Sequence, residues 1–266
     1  MKVGFIGAGN IAGAIVSGIL GKGIVLPAEV NVFDVDTEKL NAFCTPKGVN
    51  ACKSISETVS CSDYVVLSVK PQNYRDVLAE VACSSIDGKI FVSVAAGISI
   101  SFIKSILGAN AKIVRVMPNT PLLLGQGATA ACRDEIVTEE EFDCACSLFS
   151  CGGKLAVLDE AQMNAIIAVN GSSPAYLFIF AKAVCEYAES VGIDPEKAKL
   201  LFAQTMIGSA KMITDSGDEL QVLIDKVTSK GGTTAAALKV FEERGFTDCI
   251  KDAMAACTKR ADELGS

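Results

Sequence analysis

Val3-Gly4-Phe5-Ile6-Gly7-Ala8-Gly9-Asn10-Ile11-Ala12 stands almost at the start of the chain, and its reading decides the fold. Val3–Ile6 has the length and apolar character of a short buried strand. Gly7-Ala8-Gly9 breaks that strand, and Asn10–Gly21 carries a helical pattern closed by Gly21 and Gly23. The order strand, glycine turn, helix is the context a dinucleotide fingerprint demands. Gly7 permits the tight turn, and Gly9 has no side chain to keep a pyrophosphate from the backbone. Ala12 takes the place of a third glycine and is small enough for close packing of helix on sheet. Free N–H groups at the helix start then form an anion site, to which we assign Gly7, Ala8, Gly9, Asn10 and Ile11.

Outward from this turn the pattern repeats. Strands are expected at Val30–Phe33, 64–69, 90–94 and Lys112–Met117, with helices at 37–43, 73–83 and from Ser99. Ser54-Ile55-Ser56-Glu57 and Thr138-Glu139-Glu140-Glu141 fit capping boxes that each open a helix. Residues 154–158 are the last strand candidate. This alternation predicts an α/β fold: a Rossmann-type, doubly wound parallel sheet with helices on both faces, over residues 1–158. Past Asp159 strand candidates stop. Helical-period segments run over 161–169, 175–191, 195–214, 219–227, 234–244 and 247–263, so 159–266 reads as a separate all-helical domain. Its wide apolar faces favour pairing with a second subunit over an internally satisfied bundle.

Composition narrows the function. The 266-residue chain is half hydrophobic, carries a net charge of −7 and contains no histidine. An acidic chain without a basic run is a poor partner for nucleic acid or an anionic membrane, so a small molecule is the expected ligand. Eleven scattered cysteines, none in a Cys-x-x-Cys pair, fit a reducing cytoplasm. Cys144, Cys146 and Cys151 lack zinc-ligand spacing and read as small core residues rather than a metal site. Apolar runs are interrupted by Gly, Asn, Lys or Pro before the ~18 residues of a membrane span, and no cleavable leader is visible.

Asp34 closes the second strand. A carboxylate there accepts hydrogen bonds from both ribose hydroxyls of NADH and repels the 2′-phosphate of NADPH. No arginine lies between Lys22 and Arg75 to clamp that phosphate, and Lys39 offers only a weaker contact. The expected cofactor is NADH or NADPH, with NADH preferred; alternatively, Asp34 or Asp36 merely caps the next helix. Strand ends in such a sheet point at the ligand crevice. Val69, Lys70 and Pro71 occupy one such end, Ala95, Ala96 and Gly97 a second, and Asn119 follows a third. The small residues at 95–97 serve either the nicotinamide half or close strand–helix packing, and Lys70 either the crevice or a solvated loop. Asn119 can both donate and accept, towards the cofactor carboxamide or the substrate.

The first half carries Gly4-Phe5-Ile6-Gly7-Ala8-Gly9-Asn10, Val69-Lys70-Pro71-Gln72, Ala95-Ala96-Gly97-Ile98 and Met117-Pro118-Asn119-Thr120-Pro121. Gly171-Ser172-Ser173-Pro174-Ala175-Tyr176 and Thr228-Ser229-Lys230-Gly231-Gly232-Thr233-Thr234 follow in the helical half. With these motifs the chain resembles the pyrroline-5-carboxylate reductase family over essentially its whole length. Two positions depart: Asn170 stands where the family usually has serine, and Lys230 where it usually has proline. The resemblance implies a C-terminal dimerisation domain like that of 6-phosphogluconate dehydrogenase, a homodimer, and larger rings such as a decamer. It implies reduction of 1-pyrroline-5-carboxylate to L-proline, with a substrate site between the cofactor domain and the helices.

On that reading Ser229, Gly231, Gly232, Thr233 and Thr234 form a cradle of N–H and hydroxyl groups for the carboxylate of the cyclic imine. Thr233 or Thr234 acting only as a helix cap is the alternative. Asn119 and Ser172 join the substrate residues, although Gly171 to Pro174 also reads as a helix break and restart. The lack of histidine suits an imine, whose nitrogen can arrive protonated, better than a hydroxy acid. Thr234 is the catalytic candidate, through a hydrogen bond to the ring nitrogen. A β-hydroxyacid dehydrogenase would need a catalytic lysine, and Lys182 lacks the expected surroundings. A dinucleotide-sensing module without turnover would have no use for the 229–234 cradle.

Overall fold

The computed structural model describes residues 1–265. Eight strands make one sheet: β1 (Val3–Ile6), β2 (Val30–Phe33), β3 (Asn50–Ala51), β4 (Tyr64–Leu67), β5 (Ile90–Ser93), β6 (Lys112–Met117), β7 (Gly127–Arg133) and β8 (Gly153–Val157). Their order is β3-β2-β1-β4-β5-β6-β7-β8. The reversal between β1 and β4 is the topological switch point of a doubly wound sheet, outside whose strand ends ligands bind. Along β1, Phe5 faces one buried cluster and Ile6 the other, and along β4 Val66 and Leu67 divide in the same way. A strand buried on both faces must be apolar at every position, which is why β1 and β4 carry no polar alternation.

Two strands escape the sequence pattern. β3 is a pair of exposed residues, Asn50 and Ala51, too short and too polar to stand out. β7 reads Gly-Ala-Thr-Ala-Ala-Cys-Arg, without a single Val, Ile or Phe, yet is largely buried. It pairs antiparallel with β6 and parallel with β8. The expected all-parallel sheet is therefore corrected to six parallel strands with a reversed pair, β7 and β8, at one edge. Its small residues leave room for the turn at 167–171, which lies over β6 and β7.

The helices of this layer are α1 (Asn10–Gly21), α2 (Thr37–Cys44), α3 (Ile55–Ser60), α4 (Tyr74–Ala82), α5 (Ile100–Leu107) and α6 (Glu139–Ser150). Asp36, Ser54, Ser99 and Thr138 cap α2, α3, α5 and α6, each accepting a backbone N–H in the first turn. Thr138 and Glu141 complete the expected capping box. Cys44, Cys52 and Cys132 are buried, and burial pushes the Cys132 thiol up to about 12, the behaviour of an inert core residue.

The remaining helices are α7 (Ser173–Ser190), α8 (Pro195–Asp215), α9 (Leu220–Lys226), α10 (Thr233–Glu243) and α11 (Phe246–Leu264). The chain forms two compact units, 1–174 with 255–266, and 175–254. The sheet unit thus runs past residue 158 and takes in the end of α11. Met163 is fully buried in its second cluster, and Asn164 donates to Asp262 at 2.7 Å. Arg115, 3% exposed in β6, donates to the Asn164 side chain at 2.5 Å and pairs with Glu160 at 3.6 Å. Glu160 in turn accepts the Ile100 N–H at 2.6 Å, so one buried cation ties β6, α5 and the 160–164 turn together.

In the 175–254 unit most apolar side chains are uncovered. Phe178, Ile179 and Leu200 are 66–70% exposed, while Ala188 and Ala198 are buried. The expected break and restart is there: the π-helical turn ends at Gly171, a bend follows at Ser172, and α7 starts at Ser173 with Pro174 in its first turn, where it is tolerated. Taken together, Ile167–Ser190 spans 24 residues and contains an 18-residue window of mean hydropathy 1.2, enough by length and composition alone to cross a membrane. Asn170, Gly171, Pro174 and Lys182 interrupt its apolar run, as expected from the sequence.

Candidate active site

The glycine turn is shaped by what surrounds it. Gly7 has φ +105°, and a Cβ there would stand 2.8 Å from the Ser68 carbonyl oxygen. The Ser68 hydroxyl reaches the Gly7 carbonyl oxygen at 2.7 Å and that of Ile6 at 3.0 Å, a lock that the sequence reading missed. Its trace in the sequence is a lone hydroxyl closing the apolar run Tyr64 to Leu67. Gly9 is the opposite case: a Cβ there would meet nothing within 4 Å among the described residues. Gly9 is also the N-cap of α1 and brings no capping side chain, and the first turn holds no acidic residue. Open space thus lies before the positive end of a 12-residue helix, an arrangement that fits a diphosphate.

A cleft of about 360 Å³ extends from this turn. Gly7, Gly9, Asp34, Lys39, Val69 and Lys70 are among its walls. Pro71 opens the short turn that follows Lys70. Asp34 is committed on both oxygens. One accepts the Ala8 N–H at 2.7 Å and the Lys39 ammonium at 2.6 Å, and the other accepts the Asp36 N–H at 3.1 Å. Burial pushes the Asp34 carboxyl up, but these hydrogen bonds outweigh it and hold the group below its ordinary value. The Ala8 N–H is therefore already paired, and the donors facing the cleft begin at Gly9. Asn10 is exposed, and Ile11 packs partly on the core. Asp36, not Asp34, caps α2.

At the end of β5, Ala95 is buried and Gly97 has φ +82°. A Cβ on Gly97 would stand 2.5 Å from the Ala261 carbonyl oxygen and 2.9 Å from Leu264 Cβ. The smallness of Gly97 answers to the end of α11. Asn119 is 9% exposed; its amide donates to the Asn170 carbonyl at 3.1 Å and its oxygen accepts the Ala128 N–H at 2.9 Å. Asn170 donates to the Met117 and Ala128 carbonyls at 2.8 and 3.0 Å, so the two asparagines bolt the 167–171 turn to β6 and β7. A serine at 170 could not span both carbonyls. Residues 167–171 form a π-turn, a feature frequent at functional sites, and Ser172 just beyond it lies 3.3 Å from the Cys257 thiol.

In the 175–254 unit, the Gly232 N–H donates to the Ser229 carbonyl at 2.9 Å. Gly231 has φ +72° and Lys230, like every described non-glycine residue, has negative φ, which makes 229–232 a type II turn. A Cβ on Gly232 would collide with the Ser229 hydroxyl. Gly232 is the N-cap of α10, and no side chain caps that helix. Thr233 and Thr234 are therefore its first residues rather than its cap, and Thr234 is half-buried.

A Rossmann strand order, an open glycine turn and an uncovered helical half define a dinucleotide-dependent oxidoreductase of two-part build. The pyrroline-5-carboxylate reductase dimerisation family matches residues 160–264, and the family described as NADP oxidoreductase, coenzyme F420-dependent, matches residues 2–97. The pyrroline-5-carboxylate reductase of Escherichia coli K12 is 36% identical over 99% of this chain and 98% of its own. A Coxiella burnetii pyrroline-5-carboxylate reductase structure is 34% identical with TM-score 0.90, covering 100% of this chain and 98% of that one. That of Plasmodium falciparum pyrroline carboxylate reductase with NADP bound is 27% identical, with TM-score 0.91 and the same coverage. The chain belongs to the pyrroline-5-carboxylate reductase family. It is an oxidoreductase that uses NAD(P)H, and its helical half makes it a homo-oligomer.

Proposed function

We infer that residues 1–158 hold the dinucleotide and residues 159–266 hold the imine and the partner subunit. The chain reduces 1-pyrroline-5-carboxylate to L-proline, the final step of proline synthesis. Bound NAD(P)H supplies a hydride to C5 of the cyclic imine. The open N-terminus of α1 behind Gly9 orients the diphosphate, and Asp34 receives the ribose. Val69, Lys70, Pro71, Ala95, Ala96 and Asn119 border the rest of the dinucleotide. Ser229, Gly231, Gly232 and Thr233 take the substrate carboxylate, with Ser172 and Asn119 completing the substrate contacts. Thr234 hydrogen-bonds the ring nitrogen, keeping the iminium proton in place while hydride arrives.

The observation that carries this reading is the start of α10, which begins on glycine and leaves its first N–H groups without a side-chain cap. α1, assigned to the diphosphate, likewise begins on an uncapped glycine, whereas α2, α3, α5, α6 and α8 begin on a capping side chain. Following NADH and NADPH oxidation with pyrroline-5-carboxylate and its six-membered homologue tests it. Turnover with the five-membered imine is expected, and binding of the nucleotides without turnover would refute it.

Three finer points belong to the same proposal. Asp34 favours NADH, since a 2′-phosphate meets a carboxylate; a larger kcat/KM for NADPH would end that preference. Dimers formed through the helical half assemble further, to a ring such as a decamer, which light scattering of the purified protein measures. The eleven unpaired cysteines support a cytoplasmic location.

A further inference from the structure

Lys39 stands at the mouth of the cofactor cleft in an unusual position. It belongs to the first turn of α2, its side chain is 47% exposed, and its ammonium lies 2.6 Å from Asp34, whose own side chain is 9% exposed. Both residues line the same cleft, with Lys70 on its wall. Asp34 does not need Lys39 to stay in place, because two backbone N–H groups already fix it at 2.7 and 3.1 Å. The ammonium therefore neutralises a charge that the fold has positioned independently. Of its three donors, one meets Asp34.

We propose that Lys39 is the residue that admits a 2′-phosphate, so that Asp34 and Lys39 together make a ribose site open to both NADH and NADPH. This rests on the assignment of the cleft to the dinucleotide. Asp34 alone would repel a phosphate dianion. With Lys39 beside it the pair is neutral, and the remaining ammonium donors are available for a phosphate on the cleft side. The lysine bridges carboxylate and phosphate without leaving the carboxylate. A 2′-hydroxyl needs none of this, since Asp34 accepts it directly. Lys39 thus sets the ratio between the cofactors rather than the affinity for dinucleotides as such.

The test uses the purified full-length protein and two fragments that carry no reactive ring, 5′-AMP and 2′,5′-ADP, with Kd from calorimetry. Lys39→Met is expected to raise the ratio of the 2′,5′-ADP Kd to the 5′-AMP Kd by about tenfold, the loss of one charge-assisted contact. Lys39→Arg is expected to restore the ratio, and added salt to shrink the difference. Circular dichroism confirms that each variant is folded. An unchanged ratio in Lys39→Met, with 5′-AMP still bound, overturns the role of Lys39 alone. Failure of the wild-type protein to bind either fragment overturns the cleft assignment and the proposal with it.

Discussion

The Asp34 carboxylate accepts the Ala8 backbone N–H at 2.7 Å, across 26 residues of chain. The end of β2 thereby fixes the glycine turn at the end of β1, so the group proposed to receive the ribose also shapes the proposed diphosphate site. Asp34→Asn removes the charge and weakens three hydrogen bonds, and should cost about 1–2 kcal/mol at neutral pH. The pH dependence has a definite sign. Because the folded-state carboxyl is held below its ordinary value of 3.8, its contribution is present above that value and fades as pH falls through the lower folded one. Urea unfolding of wild type and variant at pH 7 and pH 3 checks this. The gap between the two proteins should narrow at pH 3.

Gly97→Ala should destabilise the sheet unit by about 2–3 kcal/mol, since the new Cβ combines a strained φ with a backbone collision. The partner it meets is the Ala261 carbonyl in α11. Faster amide exchange across residues 255–264 would mark the site of the damage. A variant as stable as wild type would show that α11 yields to the methyl group.

Lys230→Pro restores the residue that a type II turn prefers at its second position. With φ already negative there, proline should raise stability by about 0.5–1 kcal/mol by restricting the unfolded chain. It should also lower KM for the imine, because the 229–232 turn presents the start of α10. A calorimetric melting curve and a KM measurement separate the two effects.

Thr234→Ala should lower kcat/KM for the imine by roughly a hundredfold, at the low end of what general acid–base groups contribute. NADH affinity, read by fluorescence titration, should stay close to that of wild type. Thr234→Ser keeps the hydroxyl and should recover most of the loss. Turnover of the alanine variant at the wild-type rate would remove Thr234 from the mechanism.

Much of the cofactor half was legible because its chemistry is local. Gly7 and Gly9 announce a turn that must bend sharply and stay bare, and the capping residues Ser54 and Thr138 mark their helices within four residues. The helical half was legible as helix, and Thr233 and Thr234 as the head of one. Other parts depend on partners far along the chain. β7 has no Val, Ile or aromatic residue and forms because β6 and β8 flank it. Arg115 looks out of place in an apolar strand until Glu160 and Asn164 are seen around it. Asn170 reads as a departure from a serine motif, and only its bonds to Met117 and Ala128 give it a role.

Sequence alone determined the Rossmann class, the helical second half and the family, and located the two glycine turns proposed as cradles, because glycine turns, caps and apolar periods act over a few residues. Tertiary structure decided which groups are already spoken for. It assigned the Ala8 N–H to Asp34, the Asp34 charge to Lys39, and the smallness of Gly97 to α11. The physical reason is range: a hydrogen bond or a steric contact is satisfied by whatever the fold brings within a few ångströms, and spacing along the chain does not reveal that partner.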